Sequence, residues 1–209
     1  MQALRKRMAL LAIFAIVFAL CPSCTDLPDA AGPRFNLTPT ELYQGDALRY
    51  KALLGACAGS IDIHVSTGRN LLVAYEVWEN GSLSRTPYSM SWDDIQSQGA
   101  KPFDGEFLYS LLDLTQDYRG EQLLASSSLA EKAQEPSRQL RGRIDHFPDR
   151  AVLTCLPLKN RLTVQSGEEA YAAVLAASPG DKPLPSVKLP QEALVLAPWA
   201  LAVKLIVLD

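Results

Sequence analysis

Leu71-Leu72-Val73-Ala74-Tyr75-Glu76-Val77-Trp78, then Glu79-Asn80-Gly81-Ser82, then Leu83-Ser84-Arg85: this stretch decides the fold class. Residues two apart on a strand share a face, so Leu71, Val73, Tyr75 and Val77 line one side and Leu72, Ala74, Glu76 and Trp78 the other. Asn80-Gly81 tolerates positive φ at both central positions of a type I′ turn, the connection whose twist suits two antiparallel strands. That turn sets Trp78 opposite Leu83 and Glu76 opposite Arg85, an apolar pair and an opposite-charge pair. Pro87 then ends the second strand or confines it to a sheet edge.

Working outward, Ile61, Ile63 and Val65 alternate with Asp62 and His64, again with period two. Glu106 to Leu114, Ala151 to Leu156, Arg161 to Val164 and Trp199 to Leu208 are strand-like, and Glu169 to Ala177 suits strand or helix. Thr40 to Ala58 is ambiguous in the same way. Leu123, Leu124, Leu129 and Ala133 suit a short helix that Ser126-Ser127-Ser128 weakens and Pro136 stops. Arg138, Arg141, Arg143 and Arg150, interrupted by Gly142 and Pro148, read as a solvated loop. Short strands joined by turns, without regular helices between them, predict an all-β, mainly antiparallel β-sandwich or partly open barrel with one or two short helices.

The chain has 209 residues, of which 48% are hydrophobic. That suffices for one buried core, falls short of two, and excludes wholesale disorder. Arg5, Lys6 and Arg7 head an unbroken apolar run from Met8 to Leu20, the order of an export signal. Without those three the body has 17 basic against 23 acidic residues, a balance of −6. An acidic body argues against nucleic acid, which is bound by clustered Lys and Arg.

Leu20-Cys21-Pro22-Ser23-Cys24 resembles a bacterial lipoprotein signal, although that family prefers other residues where Cys21 and Pro22 stand. The resemblance implies cleavage before Cys24 and acylation of that residue, so residues 1–23 form a signal helix. Pro28, Pro33 and Pro39 with Asp26, Asp29 and Gly32 mark 24–41 as a tether, leaving 42–209 as the folded domain. The Ser60 to Val65 strand, the Val77-Trp78-Glu79-Asn80-Gly81 hairpin and Gly167-Glu168-Glu169 are similar to extracytoplasmic β-sandwich domains of bacterial lipoproteins that carry no assigned activity. The expectation is an exported, lipid-anchored bacterial envelope protein, periplasmic or on the cell surface. Its sandwich acts as a binding or structural module, with the membrane and an envelope protein as partners. A retained N-terminal membrane helix is the alternative topology.

If Cys21 is removed and Cys24 acylated, Cys57 and Cys155 remain. An oxidising compartment allows a disulfide between them, closing a loop long enough to stabilise by roughly 4 kcal/mol; two separately buried thiols are the simpler reading. Gly55-Ala56-Cys57-Ala58-Gly59 imitates a nucleophile elbow, with His146 and Asp113 or Asp145 as partners for a thiol hydrolase. An alternating strand follows it where that motif requires a helix, so no catalytic residue is assigned. Asp62 and His64 share a strand face and would begin a metal site with His146, Asp145 and Asp149, but solvent-facing polar positions explain them more simply. No cofactor or metal is expected. Trp78 and Leu83, together on the outer hairpin face, are the candidate binding surface.

Overall fold

The computed structural model describes residues 34–44, 48, 57–65, 70–92, 103–113, 122–131, 138–145, 151–179 and 184–208. All fall in one compact unit, Pro33–Asp209. The other unit, Met1–Gly32, lies outside the described residues, and with it the segment expected as a signal helix and Cys24.

Eleven strands are described, in chain order: β1 (Arg34–Thr40), β2 (Cys57–Val65), β3 (Asn70–Glu79), β4 (Ser82–Trp92), β5 (Phe103–Asp113), β6 (Gln122–Glu131), β7 (Arg138–Asp145), β8 (Ala151–Pro157), β9 (Leu162–Gln165), β10 (Glu169–Pro179) and β11 (Trp199–Leu208). One short helix, α1 (Glu192–Leu196), precedes the last strand. The first sheet runs β7-β6-β5-β2-β1-β9 and the second β4-β3-β11-β10-β8, with no barrel closure. Every pairing is antiparallel. The chain is therefore an all-β, two-sheet protein, as the alternating strands and turn residues predict.

The inner faces meet in a single core that includes Phe35, Leu37, Ile61, Ile63, Val73, Tyr75, Phe107, Leu201 and Val203. Trp92 meets Phe107 edge-on across 6.2 Å, and Phe107 lies nearly parallel to Tyr109 at the same separation. Both geometries suit ring quadrupoles. A second cluster forms on the outside of the second sheet, where Val174, Ala176, Ala200 and Ala202 are roofed by Ala193, Leu194 and Ala197. This is why Trp199–Leu208 is apolar on both faces: β11 is central in its sheet and covered on both sides. Its outward alanines let the backbone around α1 approach closely.

Four local expectations change. Arg34–Thr40, assigned to the tether, is a strand between β2 and β9 with Phe35 and Leu37 buried. β9 stops at Leu162, opposite Leu37, so Pro39 sits where β1 has a neighbour on one side only, a position that tolerates proline. The serine-containing segment expected as a helix is β6: Leu123, Ala125, Ser127 and Leu129 point inward at period two. The expected arginine-rich loop contains β7, in which Gln139, Arg141 and Arg143 alternate with Leu140, Gly142 and Ile144.

The fourth change concerns the hairpin. Its turn is as expected, with positive φ at Asn80 and Gly81 and Trp78 opposite Leu83. One extra residue, Ser84, then bulges from β4, so Arg85 pairs with Val77 rather than Glu76. A second irregularity follows at Thr86-Pro87, and β4 is indeed an edge strand.

Candidate functional site

The bulges aim β4 side chains at β7, the edge strand of the other sheet. Tyr88 Oη donates to the Arg143 carbonyl at 2.9 Å, and Arg85 donates to the Asp145 carbonyl at 2.6 Å. A Cβ at Gly142 would fall inside the Tyr88 ring, so only glycine leaves room for that contact. This seam occupies carbonyls of an edge strand, the groups through which such strands recruit other chains.

Cys57 begins β2 and Cys155 lies on β8, and the two are joined by a disulfide with Cα atoms 5.2 Å apart and a sequence separation of 98. The bridge ties the free edge of the second sheet to the middle of the first. A sulfur in a disulfide offers no thiolate, so Cys57 as found is not a nucleophile. Of the partners considered for it, His146 lies outside the described residues and Asp145 is an exposed residue on β7.

Trp78 and Leu83, the expected binding surface, are cross-strand neighbours but differ in environment. Leu83 is exposed, whereas Trp78 is half-buried against the roofed alanine cluster. Its indole Nε1 donates to Glu76 Oε2 at 3.1 Å. That bond leads to a charged group absent from the expectations. Lys204 of β11 is pinched between Glu76 of β3 and Glu169 of β10, in direct contact with Glu76 and 3.0 Å from Glu169 Oε1. Tyr171 donates to the other Glu169 oxygen at 3.3 Å. The Glu76 and Lys204 side chains are 3% and 10% exposed, so the pair lies inside the outer layer of the second sheet.

Burial alone lowers the basicity of Lys204, but the hydrogen bonds and charges of Glu76 and Glu169 outweigh it, and its pKa is raised above 10.5. Tyr171 is pushed up from 10.0 by burial first and by the Glu169 and Glu76 carboxylates second. In the core, burial raises Tyr75, and Tyr109 goes up to about 12 by burial and by nearby Tyr43. Each shift holds a proton on the folded protein. The sequence signal for the charged group was present: Glu76 and Lys204 are the acid and the base that interrupt the apolar runs of β3 and β11.

The outward face of the first sheet carries shorter polar links. His64 Nδ1 lies 2.6 Å from Asp104 Oδ1, Ser60 donates to Glu106 at 2.5 Å and Thr163 to Asn36 at 3.0 Å. Ser60 and His64 are four residues apart on one strand, about 13 Å, too far for a nucleophile and its base. Asp62 and His64 share this face, yet among the described residues no three His, Cys, Asp or Glu side chains converge on a metal position. His146 and Asp149 lie outside the described residues. Among the described residues, no helix is long and apolar enough to cross a membrane.

No protein-family model, curated protein or solved structure matches this chain.

Proposed function

We propose that the chain is an exported bacterial envelope protein, anchored by acyl groups on Cys24, whose sandwich is a binding or structural module and not an enzyme. The observation that carries this reading is the Cys57–Cys155 bridge between the two sheets. Disulfides persist outside the reducing cytosol, and a bridge closing so long a loop belongs with a protein that folds after export. The leader supports the same compartment, because its basic start and apolar run direct export, and Ser23-Cys24 supplies a small residue before the acylated cysteine. The described polar groups support the non-catalytic half of the reading: Lys204 is held between Glu76 and Glu169, and the cysteine sulfurs bond to each other.

The test is metabolic labelling of the full-length chain, expressed in bacteria, with a clickable palmitate analogue. Labelling lost in Cys24→Ser and retained in Cys57→Ser supports the reading. An unlabelled chain recovered with the soluble cytosol overturns it.

A further inference from the structure

The outward face of the first sheet changes character along its length. Where β1 begins and β2 ends it is polar, with Asn36, Asp62, His64, Asp104 and Glu106. Toward the opposite end of the same face, β5 presents Leu108 and Leu112 and β6 presents Leu124. Leu42, in the segment after β1, comes to the same place, and the walls line an open groove of about 390 Å³. Gln139 and Arg141 of β7 line its other side, and small Ser126 and Ser128 keep the floor open.

We infer that this groove binds a medium-chain fatty acid, with the alkyl chain along the leucines and the carboxylate at Arg141. Four leucines gathered on the solvent side of a sheet are not needed by either hydrophobic cluster. A groove of this volume lies at the small end of those that hold ligands. Charge decides the headgroup. Arg141 is exposed at the rim and has no ion-pair or hydrogen-bond partner among the described residues. Its planar fork suits a carboxylate, and Gln139 beside it adds an amide donor. An exposed cation beside an apolar slot, on a body whose balance is acidic, selects an amphiphile with one negative end over a neutral one.

This deepens the binding-module reading and rests on it, while needing neither export nor acylation. The palmitate-analogue result and the one below can therefore fail separately. The full-length chain, reconstituted in phosphatidylcholine nanodiscs, is photolabelled with a diazirine derivative of dodecanoic acid in competition with dodecanoate or dodecanol. Label is expected on the β5 and β6 peptides that hold Leu108, Leu112 and Leu124. Dodecanoate should compete about tenfold better than dodecanol, the size of one charge-assisted hydrogen bond. Arg141→Gln should erase that preference, and Ser126→Trp should block labelling at unchanged thermal midpoint, while Thr163→Ala, on the same face beyond the groove, changes neither. Label outside these strands, equal competition by the alcohol, or wild-type behaviour of Arg141→Gln overturns the inference.

Discussion

Lys204 is the residue on which most of the polar chemistry of the second sheet converges. A buried ion pair adds little over an apolar pair of equal volume, but breaking one side strands a charge. Lys204→Ala should therefore lower the unfolding free energy by about 3 kcal/mol, measured by urea denaturation. The double variant Glu76→Gln/Lys204→Met should recover most of that loss. Equal losses in both variants would mean that packing, and not charge, holds this layer. The pH dependence follows from the raised values of Lys204 and Tyr109. In both, the folded state keeps a proton that the unfolded chain gives up near 10.5 and 10.0. Their contribution is thus complete below pH 10 and is lost as pH rises toward 12. Urea midpoints should be flat from neutrality to about pH 9.5 and fall above pH 10, with a shallower fall in Tyr109→Phe.

Among the elements, the β3–β4 hairpin was legible because two local signals agree, the period-two alternation and the Asn80-Gly81 turn. β2, β5 and β11 were legible from alternation alone, and β8 and β9 as strand-like runs. The misread elements each carry a local signal that outweighed alternation. Prolines hid β1, although Phe35 and Leu37 alternate correctly. The Leu123-Leu124 doublet imitated a helix in β6, and the arginines of β7 masked the alternation of Leu140, Gly142 and Ile144. The bulge at Ser84 has no sequence signature, so the Glu76–Arg85 pairing failed. Glu76 found Lys204 instead, a partner that only the long-range order β3-β11-β10 brings near. The β4–β7 seam was illegible for the same reason: it depends on Gly142 meeting Tyr88 across two sheets. Gly142→Ala should cost about 2 kcal/mol by forcing the ring aside. Hydrogen exchange should then quicken in β7 and β4 together; quickening in β7 alone would show that the seam does not couple the sheets.

At the scale of the molecule, two links between sheets of opposite character stand at different places. The β4–β7 seam is made of hydrogen bonds to backbone carbonyls, and the β2–β8 link is covalent. Only the second depends on the compartment in which the chain folds, so it joins the architecture to the proposed location. The candidate site was legible only in part. The Cys57 and Cys155 pair and the Trp78–Leu83 neighbours were named from sequence, whereas the groove was not, because its walls come from β5, β6, β7 and the segment after β1. The most direct measurement is the intact mass of the full-length chain, expressed in bacteria, isolated from membranes and alkylated without reductant. The account predicts loss of residues 1–23, an acyl mass on Cys24, and no alkylation at Cys57 or Cys155. A chain that keeps Met1 and takes up alkylating reagent at both of those cysteines would contradict it.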